Sequence, residues 1–107
     1  MRKLEKLDLG ENKISDIKVF EKVKFDKLEI LSLNNNQISD INILEKVNFK
    51  ELKKLDLSFN NISDIKVLEK VKFNKLEILN LSNNQISKEE NESIIKKLES
   101  KIPKFYI

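Results

Sequence analysis

The stretch Leu52-Lys-Lys-Leu55-Asp-Leu57-Ser-Phe-Asn60-Asn-Ile62-Ser-Asp-Ile65 decides the fold of this chain. Leu55 and Leu57 flank Asp56 in the period-two alternation of a half-buried strand, and the asparagines that follow are typical of a tight bend. The stretch recurs almost unchanged three more times, and successive copies open 24 residues apart. The openings are Leu4, Leu28, Leu52 and Leu76. The chain is therefore an array, and its function must be sought in features that run across the copies.

Alignment of the copies separates fixed apolar columns from variable ones. Full copies occupy residues 4–27, 28–51 and 52–75, a partial copy occupies 76–87 and a cap occupies 88–107, all within one domain spanning residues 1–107. In the return half of each copy, apolar residues recur at every third position, as in Ile17, Phe20 and Val23. This spacing predicts a short helix or a 3₁₀ turn that faces the same core as the strand. Because no copy can bury these residues alone, the copies must stack.

An asparagine ends the strand half of each copy, at Asn12, Asn36, Asn60 and Asn84. Its amide carries both donors and acceptors, so we expect it to satisfy backbone groups in the bend rather than to contact a ligand. Ser15 or Asp16, with their equivalents in later copies, stands where the return turn needs an acceptor for its first N–H groups. These residues are therefore interpreted as structural.

The pattern L-x-x-L-x-L-x-x-N-x-I, as it stands from Leu52 to Ile62, resembles the leucine-rich repeat. The Ser-Asp-Ile continuation resembles the class found in phosphatase-regulatory and internalin-type repeat proteins, although the copies here are longer through a Val-x-Phe extension such as Val23-Lys-Phe25. The resemblance implies an α/β solenoid. Such a solenoid is a right-handed array with a parallel concave β-sheet, short helices or 3₁₀ turns on the convex side, and a C-terminal capping helix.

The two ends of the array differ. Ser87-Lys-Glu-Glu90 has the capping-box pattern and predicts a helix, ended by Pro103, whose apolar face covers the last copy. That face comprises Ile94, Ile95, Leu98 and Ile102. The first copy has no equivalent, so we expect its flank to lie partly bare, either because the chain is the C-terminal piece of a longer array or because two chains meet there. The flank comprises Leu4, Leu7, Leu9, Ile14 and Phe20.

Composition argues against catalysis. The chain has no Cys and no His, and its single glycine, Gly10, leaves no phosphate-cradling loop. The Ser-Asp pairs lack a base to activate the serine, and one Asp per copy makes no dense set of oxygen ligands. We therefore expect no enzyme, cofactor, metal or small-molecule substrate. The three residues before Leu4 leave no room for a signal peptide, and with the lack of Cys this favours the cytoplasm.

The variable strand positions are the remaining candidates for function, since the resemblance places them on the concave sheet. Three lysines against six carboxylates give these positions an acidic lean, which favours a basic or amphipathic protein segment. Three apolar side chains stand at positions expected to face solvent, namely Ile30, Phe59 and Ile78. They are either anchors of an interface or isolated apolar residues on a surface that tolerates them. The candidate partner contacts are Glu29, Ile30, Ser32, Lys53, Lys54, Asp56, Phe59, Glu77, Ile78 and Asn80.

The function expected from these features is a non-enzymatic protein–protein interaction module that binds another protein on the concave sheet. The alternative is a self-associating structural element that forms a homodimer through the N-terminal flank. An electrostatic binder of nucleic acid or anionic membrane through convex lysines is least favoured, because a net charge of +3 spread along the chain makes no basic patch.

Overall fold

The computed structural model describes residues 3–107 as a single five-stranded parallel sheet backed by 3₁₀ turns and one α-helix. Met1 and Arg2, with which the expected domain begins, lie outside the described residues. The strands lie side by side in chain order: β1 (Lys6–Asp8), β2 (Ile30–Ser32), β3 (Lys54–Asp56), β4 (Ile78–Asn80) and β5 (Lys104–Tyr106). The 3₁₀ helices span Lys18–Lys22, Asn42–Lys46 and Lys66–Glu69, and helix α1 spans Glu92–Lys101. The predicted solenoid is confirmed.

The core runs unbroken along the array because equivalent side chains stack on one another. Leu31, Leu55 and Leu79 pair in register at the centres of their strands and are fully buried. Behind them the phenylalanines of the return segments form a second stack. The rings of Phe25 and Phe49 lie 6.3 Å apart between centroids, close to parallel, and Phe73 continues this stack. Each copy therefore buries the apolar face of its neighbour, as the stacking argument requires.

The asparagine column joins neighbouring copies through the backbone. Asn36 Oδ1 accepts the N–H of Ile14 at 3.0 Å, while Asn36 Nδ2 donates to the carbonyls of Leu9 at 3.0 Å and Leu33 at 3.1 Å. One amide thus satisfies backbone groups in its own copy and in the preceding one. The predicted structural role of this column is confirmed.

An aspartate begins each return turn. Asp16 Oδ1 accepts the N–H of Lys18 at 2.9 Å, and the same bond recurs between Asp40 and Asn42. Of the two candidate acceptors it is therefore Asp16, rather than Ser15, that satisfies the start of the turn. The return segments are 3₁₀ helices, as the three-residue apolar spacing predicts.

The C-terminal cap is present but differs in detail from the prediction. Ser87 Oγ accepts the N–H of Glu90 at 3.2 Å, as in a capping box. A turn follows, held by a 2.8 Å bond from Asn91 Nδ2 to the carbonyl of Ser87, so α1 begins only at Glu92. The apolar face of α1 is buried, which confirms that this helix covers the last copy. Beyond Pro103 the chain forms β5, a strand that the repeat pattern does not predict.

The N-terminal flank is partly bare, with one exception. Leu4, Leu7, Leu9 and Ile14 are half-buried, as expected. The expectation is wrong for Phe20, which is only 6% exposed. Its ring packs edge-on against Phe25 of the same copy at a centroid distance of 5.5 Å, so the return segment of the first copy helps to cover its own aromatic side chain.

Candidate interaction surface

The sheet presents two rows of outward side chains, because alternate residues of every strand point away from the core. We call these two rows together the open sheet face. The Lys/Ile row consists of Lys6, Ile30, Lys54, Ile78 and Lys104, paired in register across the five strands. The Asp row consists of Asp8, Ser32, Asp56, Asn80 and Tyr106, two residues further along each strand.

The Lys/Ile row alternates cations with aliphatic side chains. Ile30 and Ile78 are half-buried between neighbouring lysines, Lys6 and Lys104 are exposed, and Lys54 is half-buried. Within residues 3–107, none of these three lysines forms an ion pair. Their ammonium groups are therefore available to anionic groups of another molecule.

The Asp row is held in place by local bonds. Asp56 Oδ1 accepts the N–H of Ser58 at 3.0 Å and its hydroxyl at 2.6 Å, and Asn80 Oδ1 receives the same two bonds from Ser82. Asp8 Oδ1 accepts the N–H of Gly10 at 2.9 Å. These side chains are thus oriented before any partner arrives, which lowers the entropy lost on binding.

The charges of the residues that directly precede the strands are partly neutralised by one another. Lys53 Nζ lies 3.6 Å from Glu29 Oε1, and Glu77 is exposed beside them. The open sheet face itself carries three lysines and two aspartates, since β5 adds Lys104. The acidic lean is expected of a wider set of positions, which includes those before and after the strands, and for that set it stays a prediction. Within the open sheet face the charge is divided, with cations in the Lys/Ile row and carboxylates in the Asp row.

Phe59 lies at the carboxyl end of β3 and is 52% exposed. Its φ of 56° lies in the left-handed region, as do the φ angles of Glu11, Asn35 and Asn83 in the same column. This conformation costs an L-residue roughly 1–2 kcal/mol, and asparagine tolerates it better than phenylalanine. A backbone hydrogen bond helps to hold Phe59 in this conformation, since its N–H donates to the carbonyl of Ser82 at 3.0 Å.

The structure brings the sequence candidates together as three lines rather than one cluster. Ile30, Lys54 and Ile78 are consecutive in the Lys/Ile row. Ser32, Asp56 and Asn80 are consecutive in the Asp row, and Glu29, Lys53 and Glu77 precede the same strands.

Sequence reasoning missed the contribution of β5 to this face. Lys104 and Tyr106, the latter 50% exposed, extend the two rows by one strand. The alternation Lys104-Phe105-Tyr106-Ile107 is the signal that could have indicated this strand.

The described residues offer no candidate metal centre. Residues 3–107 contain no group of three or more Asp, Glu, His or Cys side chains that could hold a metal ion. Asp16, Asp40 and Asp64 each accept a backbone N–H two residues ahead, as the start of a turn requires. Over the same range no helix is both long enough and apolar enough to cross a membrane.

Comparison with known proteins identifies the family. The model of leucine-rich repeats, two copies per match, covers residues 2–46 and again residues 50–100. No curated protein matches the chain. The two family matches cover most of the sequence and coincide with the stacked strands and 3₁₀ turns of the structure. The chain belongs to the leucine-rich repeat family.

Proposed function

We propose that this chain is a protein-binding module whose partner lies on the open sheet face. Leucine-rich repeats generally mediate protein–protein interaction and are typically not enzymes. The central contacts of the proposal are Ile30, Lys54, Asp56 and Ile78 on this face and Phe59 just beyond the carboxyl end of β3. The remaining candidate contacts, which surround these five, are Glu29, Ser32, Lys53, Glu77 and Asn80.

The proposal includes the organisation of the chain. It treats residues 1–107 as one domain of 24-residue copies of the Ser-Asp-Ile class, with the boundaries given above. We place the domain in the cytoplasm, because a chain without cysteine forms no disulfides and needs no oxidising compartment to fold.

The observation that carries the proposal is Phe59. A large aromatic side chain exposed by half stands in a left-handed backbone conformation that Asn35 and Asn83 occupy at the equivalent positions. The fold alone gains nothing from phenylalanine there, since asparagine suits this conformation better. Aromatic residues on rigid elements are the commonest anchors of protein interfaces. A selected role in binding explains why this costly residue stands at this position.

The test is a display selection of peptides and small proteins against the chain, followed by binding to two double variants. The first is Phe59→Ala with Ile78→Ala, which removes one exposed and one half-buried apolar side chain from the sheet side. The matched control is Val19→Ala with Ile43→Ala, which removes an exposed and a half-buried side chain from the 3₁₀ side. Circular dichroism verifies that both variants are folded.

We expect the selected binders to lose affinity at least tenfold for the sheet-side variant and to keep it for the control. Equal capture of the parent and the sheet-side variant would sink the assignment of these contacts. Binders that are lost only in the control would move the function to the 3₁₀ side.

A second candidate function is self-association through the N-terminal flank. Strand β1 lies at the edge of the sheet. Alternate residues of β1 direct their N–H and C=O groups toward β2, so the N–H and C=O groups of Lys6 and Asp8 point away from it. Beside this edge, Leu4, Leu7 and Leu9 are half-buried. A second copy at this edge would cover both features at once.

The test of self-association is the mass in solution by light scattering over a wide concentration range. Asp8→Pro blocks pairing at the outer edge of β1 while sparing the bonds to β2. A dimer that dissociates in this variant supports the candidate, whereas a parent that stays monomeric at high concentration refutes it.

A further inference from the structure

The Lys/Ile row has a chemical period of its own. From β1 to β5 it reads lysine, isoleucine, lysine, isoleucine, lysine, and each step crosses one strand. Neighbouring strands lie about 4.8 Å apart, so successive lysines stand about 9.6 Å apart with an aliphatic side chain between them. A partner that uses the whole row must present anions and apolar groups alternately at this spacing.

From this period we infer that the partner segment is an amphipathic α-helix lying across the strands, with acidic and apolar side chains alternating along one face. Seven residues of an α-helix advance about 10.5 Å along its axis, and side chains three or four residues apart on one face are separated by about 5 Å along that axis. Acidic residues seven apart would therefore meet successive lysines, and the apolar residues halfway between them would meet Ile30 and Ile78. The inference rests on the proposed function and adds the chemistry of the partner.

An extended segment fits the same row poorly. Side chains on one face of a strand repeat every 6.6–6.8 Å or so, which exceeds the strand spacing by about 2 Å at each step. Over the four steps from Lys6 to Lys104 the mismatch grows to about 7–8 Å. A helix accumulates only about 2 Å over the same distance, which flexible lysine side chains can absorb.

The Asp row sets how such a helix is turned about its axis. Asp8 and Asp56 flank the lysines on one side, and the orientation of Asp56 is fixed by its two bonds from Ser58. Basic residues on the flank of the helix that overlies this row would meet these carboxylates. The partner stripe is thus acidic and apolar over the Lys/Ile row and basic beside it, which is complementary to the divided charge of the face.

The α-helix of a second copy is not this partner. The apolar residues of α1, namely Ile94, Ile95 and Leu98, are buried against their own chain. On the remaining surface of α1, Glu92 pairs with Lys96 at 3.0 Å, so no alternation of acidic and apolar side chains is presented. The partner helix is therefore not α1.

The experiment uses a synthetic helical peptide of about 18 residues, long enough to cross the five strands. It carries Glu at every seventh position, Leu midway between them, and Arg on one flank. A control peptide has the same composition with the Glu spacing reduced to five residues, which scatters the acids around the helix. Binding to the full chain is measured by fluorescence anisotropy, and a single-stranded oligonucleotide and phosphatidylserine vesicles serve as alternative anionic probes.

Charge exchange supplies the decisive comparison. Lys54→Glu should weaken binding of the peptide about tenfold, because it replaces an attraction by a repulsion at the half-buried centre of the row. A peptide whose central Glu is changed to Lys should recover most of that loss with the variant and bind the parent poorly. Lys72→Glu, with the same charge change on an exposed return segment, should leave affinity within about twofold.

Failure of the charge exchange, or equal binding of both peptides, would overturn the inference. Binding of the oligonucleotide or of the vesicles that Lys54→Glu abolishes, without binding of the helical peptide, would assign the row to a polyanion and overturn it as well. Sheet-face binders from the display selection that lack the alternation of acidic and apolar residues would leave the protein-binding function standing and refute only the helix.

Discussion

Replacing Asn60 by alanine tests how the solenoid holds its copies together. Asn60 is buried, and its Oδ1 accepts the N–H of Ile38 at 3.0 Å. Its Nδ2 donates to the carbonyls of Leu33 and Leu57 at 3.0 Å and of Ser58 at 3.2 Å. Asn60→Ala removes all four contacts without adding an atom.

The cost is smaller than four lost bonds would indicate, because the carbonyls are shared. Leu33 keeps a 3.1 Å bond from Asn36 Nδ2, and Leu57 keeps a 3.0 Å bond from Asn84 Nδ2. The carbonyl of Ser58 still accepts a backbone N–H at 3.0 Å. Only the N–H of Ile38 loses its sole partner in a buried site.

An orphaned buried donor costs about 1–3 kcal/mol, and the weakened sharing at the three carbonyls adds about 1 kcal/mol. We therefore expect Asn60→Ala to lower the free energy of unfolding by about 3 kcal/mol. For a chain of this length such a loss corresponds to a fall in Tm of roughly 10 °C or more. Binding to the open sheet face should persist below that temperature, because Asn60 is not part of the face.

The assay is urea unfolding followed by circular dichroism, with Asn12→Ala as the matched control. Asn12 occupies the same column but is exposed, and it donates only to Leu9 at 2.9 Å and Gly10 at 3.1 Å. Among residues 3–107 no backbone N–H donates to its side chain, so its loss should cost less than about 1 kcal/mol. Equal losses in the two variants, or a loss below about 0.5 kcal/mol for Asn60→Ala, would refute the reasoning.

Three further predictions concern side chains in different settings. Phe59→Gly should be about 0.5–1 kcal/mol more stable than Phe59→Ala in urea unfolding, because glycine occupies the left-handed region without steric cost; equal stability would contradict this. Asn60→Asp would place a carboxylate against three backbone carbonyls, which raises the pKa of that carboxyl in the folded state. The stability deficit of this variant relative to the parent should therefore shrink as pH falls through that pKa. A deficit that does not depend on pH in urea titrations would disprove this. Leu98→Ala should cost about 2–5 kcal/mol in the same assay by opening a cavity under α1, whereas Lys97→Ala, which breaks only an exposed ion pair, should cost at most about 1 kcal/mol.

The features that follow from spacing alone were predictable. Leucines in alternation, as at Leu55 and Leu57, specify one buried strand face wherever they occur, and a fixed period brings equal strands into register. The role of Asn60 follows from its amide chemistry, since a tight bend leaves backbone groups that need partners. These arguments depend on neighbours within one copy or on its repetition, and both can be read directly from the chain.

Features at the ends of the array were not predictable in the same way. β5 has no counterpart in the copies, and it becomes a strand because β4 offers an unpaired edge. The backbone N–H of Lys104 donates to the carbonyl of Glu77 at 2.9 Å, and the backbone N–H of Leu81 donates to the carbonyl of Tyr106 at 2.7 Å. Phe20 is buried although its copy lies at the end of the array, and the ring of Phe25 from the same return segment packs edge-on against it. Such outcomes depend on what packs beside a residue rather than on what surrounds it in the chain.

The sequence by itself determined the strand, the asparagine bend and the 3₁₀ return, since each depends on residue spacing and local hydrogen-bond chemistry. Tertiary structure alone decided how the outward positions combine. Register aligns Lys6, Lys54 and Lys104 in one row although they lie far apart in the chain. The divided charge of the open sheet face is a property of strands laid side by side, because charges are summed across space and not along the chain.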